Sequence, residues 1–271
     1  MKKQKLIKII NDFVRRDRGN SLPGAPTPIF ETPLVAFAAA EDPLFERLRQ
    51  KEAVGPGHRT PAVWLPNART VISYSLPISS EIIETNYAGV SSSEEWLYAR
   101  FHGEDFNNRL RNVITAALRA EGYDSIAPLL SPAYAVADMK SNWSERHAAF
   151  IAGLGTFGLN RGIITEKGLA GRIGSVITTL ELEPTVRPYI EIYEYCPWFS
   201  GNTCGACIKR CPSGALSTAG KDLARCNDFL KITEGKQIRA RYGFPFSPCS
   251  KCFVNVPCQK RIPSFKDPVN N

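Results

Sequence analysis

The feature that most constrains this chain is its set of eight cysteines, which all lie in the last 76 of its 271 residues. In chain order the spacing is Cys196-x7-Cys204-x2-Cys207-x3-Cys211-Pro212, then Cys226, then Cys249-x2-Cys252-x5-Cys258. Three kinds of site are compatible with eight thiols in this segment. They are disulfides, two four-cysteine zinc sites, and two 4Fe–4S clusters.

The Cys207-x3-Cys211-Pro212 segment favours iron–sulfur clusters over the other two. Disulfides are disfavoured, because basic side chains rather than an apolar export signal occupy residues 1–16. Zinc sites would use the C-x-x-C pairs equally well. In the bacterial ferredoxin pattern, however, the cysteine before proline binds the other cluster. This exchange predicts two 4Fe–4S clusters, one on Cys196, Cys204, Cys207 and Cys258 and the other on Cys211, Cys226, Cys249 and Cys252.

The net charge of +8 is confined to the same part of the chain. Residues 1–195 hold 22 basic and 22 acidic side chains, whereas residues 196–271 hold 12 basic and 4 acidic ones. One interpretation is that these cations balance the negative charge of the clusters. The other is a docking face for an acidic electron donor such as a flavodoxin or ferredoxin. The two interpretations are compatible with each other.

The remainder of the chain predicts a body of mixed helices and strands. Apolar periodicity predicts helices over residues 1–16, 41–52, 94–121 and 142–152, and β-branched runs predict strands over 70–76 and 173–182. Prolines at 184, 188 and 197 mark the boundary that follows. We therefore expect an α/β or α+β body over residues 1–190, and a cysteine segment over residues 191–271. No apolar run is long enough to span a bilayer, so we expect a cytoplasmic protein without membrane contact.

A glycine-rich loop in the body satisfies G-x-G-x-x-G at Gly153, Gly155 and Gly158. A dinucleotide-binding fingerprint should follow a strand and open a helix, whereas this loop follows a predicted helix. We therefore do not expect nicotinamide binding. Two alternatives stay open: a loop that brings backbone close to another bulky ligand, and a plain turn that ends the helix.

In combination, these features resemble the epoxyqueuosine reductases and their relatives, the reductive dehalogenases. The stretch RTPAVWLPNARTVISYSL over residues 59–76 is similar to the family's early core strand. The segment YAR at 98–100 and the loop AGLGTFG at 152–158 are also similar to family motifs. The strongest similarity is downstream, in CGACIKRCPSGAL from Cys204, LARCNDFLKITEGKQI around Cys226, and the Cys249–Cys252 pair.

The resemblance implies a nitroreductase-like body that binds cobalamin, followed by a bacterial-ferredoxin-like domain with two 4Fe–4S clusters. The family reduces base-off cobalamin through the nearer cluster, and the reduced corrinoid then acts on the substrate. Such chemistry is oxygen-sensitive, so we expect an enzyme that works anaerobically. The expected substrate is a small molecule or a nucleoside. We disfavour tRNA, because the family's tRNA-modifying members often continue into helical repeats and this sequence ends at Asn271.

The resemblance also assigns roles to residues of the body. Asp138 occupies the place of the family's proton-donating aspartate, and the alternative is that it caps the following helix. The cobalamin contacts that the resemblance implies are Arg100, Gly153, Gly155, Asn160 and Ser175.

Three departures from the family pattern bear on these assignments. The family's first cluster cysteine lies three residues before the second, where this chain has Gly201, so Cys196 must reach in across a longer loop. The last cysteine pair is separated by five residues rather than three. The segment from Asp138 to the glycine loop is one residue longer than in the family.

Three functions are compatible with the sequence. The leading hypothesis is a cobalamin-dependent reductase of unassigned substrate. The second is an electron-transfer protein without a substrate of its own, which passes single electrons to a partner or to a corrinoid. The third is a nucleic-acid-binding protein with structural clusters, indicated by the basic excess and by nearby aromatic residues such as Trp198 and Phe244.

Overall fold

The computed structural model describes residues 1–201 and 204–264. Its helices are α1 Lys3–Arg16, α2 Pro43–Arg47, α3 Pro61–Trp64, α4 Ser80–Thr85, α5 Glu94–Ala120, α6 Glu145–Ala152, α7 Pro197–Gly201, α8 Ala206–Lys209, α9 Leu223–Asp228 and α10 Glu234–Tyr242. Its strands are β1 Leu34–Ala39, β2 Thr70–Pro77, β3 Ser125–Ile126, β4 Val136–Ala137, β5 Lys140–Ser141, β6 Gly155–Phe157, β7 Ile163–Thr165, β8 Gly171–Thr178, β9 Leu216–Ser217 and β10 Gly220–Lys221.

The centre of the body is a four-stranded sheet in the order β1-β2-β8-β3. Every pairing in it is antiparallel, which makes the architecture α+β rather than a wound parallel α/β sheet. The inner strand β2 is buried along its whole length, as expected for a strand covered on both faces. The strand predicted over residues 70–76 is therefore confirmed. The second predicted strand is confirmed as β8, although it begins at Gly171 and ends at Thr178.

Helices cover both faces of this sheet. Ile72 and Tyr74 of β2 pack in one apolar core with residues of α1 and α5. Val71 of the same strand faces the opposite core, which contains residues of α2 and α6. Successive side chains of a strand point to opposite faces, so one central strand supplies both cores. The result is a layer of helices on each side of the sheet.

The long helices begin and end where local chemistry allows it. The Ser93 side chain accepts a hydrogen bond from the Trp96 N–H and caps α5, and Gly122 follows the helix with a φ of 83°. The predicted helices over 1–16 and 94–121 are confirmed. The helix predicted over 142–152 begins later, at Glu145, because Ser144 is its N-cap. The helix predicted over 41–52 is shorter, since α2 ends at Arg47.

The cysteine segment packs against the body through apolar residues and backbone hydrogen bonds. Leu159, Ile164 and Leu169 of the body form a third apolar cluster with Cys196 and Cys252. The Leu169 N–H donates to the Cys258 carbonyl at 3.0 Å, and the Ala170 N–H donates to the Gln259 carbonyl at 3.1 Å. In the described part of the chain, no helix has the length and apolar character of a membrane span.

Candidate functional site

The eight thiols are sorted by the fold into two sets of four, each set lining its own cavity. The first cavity, with about 350 Å³ of empty space partly open to solvent, is lined by Cys196, Cys204, Cys207 and Cys258. The second, with about 480 Å³, is lined by Cys211, Cys226, Cys249 and Cys252. These are the two sets that the ferredoxin-like spacing predicts.

The short helix α8 explains why neighbouring cysteines serve different cavities. Gly205 precedes this helix with a φ of 111°, a conformation that glycine adopts without strain. Cys204 and Cys207 stand on either side of that glycine turn and both line the first cavity. Cys211 follows the end of the helix and lines the second cavity together with Pro212. The two cavities are therefore linked by one helical turn.

The Cys249–Cys252 pair is shaped by two consecutive residues with left-handed backbone. Cys249 has a φ of 33° and Ser250 has a φ of 57°, and a short 3-10 helix over Lys251–Phe253 follows. The Ser247 hydroxyl accepts a hydrogen bond from the Cys249 N–H at 3.0 Å. Non-glycine residues rarely adopt this backbone unless the surroundings hold it, and it is enriched at functional sites.

A π-helical turn over Phe229–Thr233 forms one wall of the second cavity. Its Leu230 carbonyl accepts a hydrogen bond from the Ser247 N–H at 2.9 Å, which connects the wall to the loop before Cys249. Gly235 is required here, since a Cβ at this position would collide with the Leu230 carbonyl oxygen. Single π turns within helices are frequent at functional sites.

The buried thiols hold their protons in the absence of a metal. Burial raises the pKa of the Cys207 and Cys249 thiols to about 12 and that of the Cys252 thiol to about 11. Metal must therefore displace protons from these sulfurs, which is the usual coupling between thiolate ligation and pH. In the described residues, no group of three or more His, Cys, Asp or Glu side chains has the arrangement of a metal-ion site. Four thiols around each cavity equal the number of cysteine ligands of a 4Fe–4S cluster.

The glycine loop lies beside the first cavity, where it follows α6 and leads into β6. Gly153 ends α6 with a φ of 94°, so the turn that ends a helix is what the structure shows. Gly155 lies in β6, where a Cβ would collide with the Ile164 carbonyl oxygen. Gly158 and Asn160 line the first cavity. Asn160 is buried, and its amide donates to the Cys252 carbonyl at 2.7 Å.

Arg100 on α5 and Ser175 in β8, the two other predicted cobalamin contacts, lie at the two ends of one buried network that runs through Glu104, Arg111 and Glu145. Ser175 is fully buried in β8, where its hydroxyl accepts from the Trp143 indole at 2.9 Å and donates to the Glu145 carboxylate. Arg100 lies on α5 with 28% of its side chain exposed, near Glu104. Its guanidinium lies 5.6 Å from the ring centroid of Phe246, within cation–π range.

Asp138 lies at the tip of an exposed hairpin formed by β4 and β5. It and Met139 have φ values of 50° and 59°, as a two-residue hairpin turn requires. The alternative that Asp138 caps the next helix is wrong, because the cap of α6 is Ser144. Neither cysteine-lined cavity includes Asp138, Arg100 or Ser175. The eight cysteines have the ligand number of two 4Fe–4S clusters, whereas Asp138, Arg100 and Ser175 lie outside both cavities.

Sequence reasoning missed two groups of polar residues. One is a buried ionic network in the body, in which Glu104 pairs with Arg111 and Arg172, and Arg111 also pairs with Glu145. The other is Lys251, a residue that is 1% exposed. Such residues carry no short motif, and only the tertiary fold shows their partners.

Comparisons with known proteins show two related groups. No family model matches this chain. Two curated relatives are epoxyqueuosine reductases. The one from Bacillus subtilis is 26% identical over 254 residues, and the match spans 83% of this chain and 60% of the relative. The one from Staphylococcus aureus is 25% identical over 220 residues, spanning 77% of this chain and 53% of the relative. The chain thus matches little more than half the length of these relatives.

Solved structures with a similar fold belong to the same two groups. A selenomethionine-labelled epoxyqueuosine reductase has a TM-score of 0.57 at 20% identity, covering 97% of this chain and 69% of that one. An epoxyqueuosine reductase with an epoxyqueuosine-modified tRNA stem loop has a TM-score of 0.51 at 20% identity, covering 88% and 60%. A reductive dehalogenase described with a B12-dependent mechanism has a TM-score of 0.52 at 15% identity, covering 75% and 28%. These likenesses show the fold.

Proposed function

We propose that this protein is an iron–sulfur reductase similar to epoxyqueuosine reductase, with two 4Fe–4S clusters. The observation that carries the proposal is the division of eight thiols into two sets of four around two cavities. In this proposal Cys196, Cys204, Cys207 and Cys258 hold one cluster, and Cys211, Cys226, Cys249 and Cys252 hold the other. Clusters with four thiolate ligands transfer single electrons. The curated relatives supply the reductase class.

The residues that line the two cavities suggest an order of electron transfer between them. The first cavity is lined in part by Gly158, Leu159 and Asn160 of the body. The lining of the second comes from residues 211–253 alone. We propose that a cluster in the first cavity lies next to the glycine loop of the body and that a cluster in the second cavity is the outer one. We assign electron entry to the second cavity and delivery to the first.

The proposal includes cobalamin as the acceptor of these electrons. It rests on the likeness to a reductive dehalogenase described as B12-dependent, not on a pocket in this structure. When bound, cobalamin would supply the strong reductant. Asp138 remains the proposed proton donor, with its carboxyl carried by the β4–β5 hairpin.

The proposed substrate class is a small molecule or a nucleoside. One similar structure holds an epoxyqueuosine-modified tRNA stem loop, so a modified nucleoside is the first class to examine. The matching part of this chain covers 60% of that protein. Because the remaining part of that protein has no counterpart in the match, a free nucleoside is tested as a substrate as well as the stem loop.

An anaerobic titration tests the reductase proposal. Protein with reconstituted clusters is titrated with cobalamin, and electron paramagnetic resonance is used to detect base-off cob(II)alamin. Binding at one equivalent with loss of the axial nitrogen splitting supports the reductase. Intact clusters without cobalamin binding would contradict the cobalamin part of the proposal. A protein that takes up no clusters would contradict the proposal as a whole.

A second candidate is an electron-transfer protein without a substrate of its own. Its support is that Asn160 and Ser175 already have hydrogen-bond partners within the protein, while Asp138 faces solvent. Turnover separates the two candidates. The reductase requires product formation that falls in Asp138→Asn, whereas an electron carrier would show cluster oxidation by a partner at an unchanged rate in that variant.

A further inference from the structure

The helical wall of the second cavity carries an exposed basic surface on its outer side. We define this outer surface as the exposed residues of the helical segment 223–242, which comprises α9, the π turn and α10. Its exposed cations are Arg225, Lys231, Lys236, Arg239 and Arg241. Of the two acidic side chains in this segment, Asp228 is exposed, while Glu234 is buried and bound to Ser92 and Ser247. The outer surface is therefore strongly positive.

An apolar residue lies among these cations. Ile232 is 52% exposed, unlike most large apolar side chains of the protein. It is flanked in the sequence by Lys231 and followed by Lys236, both exposed. Protein-binding surfaces combine apolar side chains with a polar rim, and this segment exposes both kinds of side chain.

The same segment also faces the second cavity on its inner side. Cys226, Phe229 and Leu230 line the cavity, only a few residues from Ile232. A helix with its side chains is about 10–12 Å across. A protein bound to the outer surface would therefore lie within about one helix diameter of the second cavity. The first cavity, in contrast, lies against the glycine loop of the body.

We propose that this outer surface is the docking site of a small acidic electron-carrier protein that delivers single electrons to the second cavity. This inference rests on the proposed function, since it requires a cluster there. One electron leaves the carrier and enters the cluster, and no bond forms or breaks. Charge complementarity selects an acidic protein and accelerates its encounter, and Ile232 supplies the apolar contact.

Hydrogen bonds on the inner side of the segment 223–242 hold it in place. The Leu230 carbonyl bonds the Ser247 N–H at 2.9 Å on the inner side. The Glu234 carboxylate accepts from the Ser92 N–H at 2.6 Å and joins the segment to the body. Lys231 and Lys236 take no part in these bonds. Their charges can therefore be reversed without removing the support of the segment.

The test uses the double variant Lys231→Glu with Lys236→Glu and an acidic flavodoxin as the probe. A matched control reverses two exposed lysines of the body, Lys2→Glu with Lys51→Glu, and so changes the net charge equally. Flavodoxin hydroquinone is mixed anaerobically with each protein, and its oxidation to the semiquinone is followed. We expect about a tenfold lower rate in the surface variant at low ionic strength, and a small change in the control. High salt should remove the difference.

Two further measurements keep this test separate from the proposed function. Photochemical reduction with deazaflavin should reduce the clusters of all three proteins to the same extent. If no cluster is reduced in any of them, the proposed function is contradicted. Calorimetric titration with oxidised flavodoxin measures docking without electron transfer, and should show about tenfold weaker binding in the surface variant. Equal rates and equal affinities in the three proteins would overturn the docking site. Weaker binding of a tRNA stem loop with unchanged flavodoxin kinetics would also overturn it, and would assign the surface to nucleic acid.

Discussion

The side-chain amide of Asn160 donates a hydrogen bond to the main-chain carbonyl of Cys252 at 2.7 Å. Asn160 belongs to the loop that lines the first cavity, and Cys252 lines the second. The side-chain oxygen Oδ1 of Asn160 also accepts from the Gly162 N–H at 3.0 Å. One buried side chain thus connects the body, the first cavity and a proposed ligand of the outer cluster.

The first prediction concerns this connection. Asn160→Ala leaves two buried backbone groups without their partner, and each such loss costs about 1–3 kcal/mol. We expect a lower unfolding temperature and faster loss of iron to a chelator. Asn160→Asp keeps the acceptor for Gly162 but sets a buried carboxylate oxygen against the Cys252 carbonyl, so it should lower the unfolding temperature at least as much as Asn160→Ala. A wild-type rate of iron loss in Asn160→Ala would show that the connection does not support the cluster.

The second prediction concerns Lys251, which lies between two cysteines of the second cavity. Its ammonium donates to the Asn86 carbonyl at 3.0 Å and to the Ala88 carbonyl at 2.7 Å, across more than 160 residues of sequence. Lys251→Met removes both bonds and a buried positive charge. We expect about 2–3 kcal/mol lower stability and a more negative reduction potential of one cluster.

The matched control for Lys251→Met is Lys209→Met, in which the lysine is exposed in the same segment. Stability comes from denaturant titration, and the potential from a redox titration followed by electron paramagnetic resonance. If both variants shift the potential equally, net charge rather than the buried position of Lys251 sets it.

The third prediction compares the loss of stability on substitution of two glycines in the glycine loop. A Cβ at position 155 would collide with the backbone of Ile164, which cannot move without breaking the β6–β7 pair. Gly153 only requires a left-handed backbone, since a Cβ there meets atoms at 3.5 Å or more. We expect Gly153→Ala to cost about 1–2 kcal/mol and Gly155→Ala distinctly more. Thermal unfolding of the two variants measures the difference, and equal losses would contradict the collision.

Much of the fold follows from local sequence signals. The β-branched run of β2 and the apolar periodicity of α5 predicted those elements, because each signal is repeated over many residues. The sorting of the thiols into two sets follows from the Cys207-x3-Cys211-Pro212 spacing, since one short helix decides which cavity each sulfur faces.

Other features depend on contacts that no short segment encodes. The antiparallel order of the sheet places β8 beside β2, about 100 residues earlier in the chain. The bonds from Lys251 to Asn86 and Ala88 span more than 160 residues between the cysteine segment and the body. Asp138 shows the limit of a sequence resemblance, which gave its position along the chain but not its place at the tip of an exposed hairpin.

The fourth prediction is a loss of stability in acid caused by His58. This side chain is 3% exposed, stacks on Trp143, and has no hydrogen-bond partner for either ring nitrogen in the described part of the chain. Burial lowers its pKa to about 4, from 6.5 in the unfolded chain. The unfolded state therefore gains the proton first as the pH falls. The contribution of His58 to the free energy of unfolding is fully present above about pH 6.5 and is lost toward pH 4. About 2 kcal/mol of the free energy of unfolding is lost at pH 5.

His58→Phe tests this prediction, because phenylalanine keeps a ring against Trp143 without a titrating group. Urea unfolding at pH 7 and pH 5 should show a smaller acid loss in this variant than in the wild type. His102→Phe is the matched control, since His102 also stacks on an aromatic ring, that of Tyr98. An equal acid loss in the wild type and His58→Phe would exclude His58 as the cause.

The fifth prediction tests the central claim, that two sets of four thiols hold two clusters. Cys258→Ser and Cys226→Ser each remove one sulfur, from the first and the second set respectively. The measurement is iron content with electron paramagnetic resonance of the dithionite-reduced protein after anaerobic reconstitution. We predict about eight irons and two interacting cluster signals in the wild type. Each variant should lose or alter one signal, a different one in each case, while the other persists without coupling. A single cluster in the wild type, or loss of the same signal in both variants, would contradict the claim.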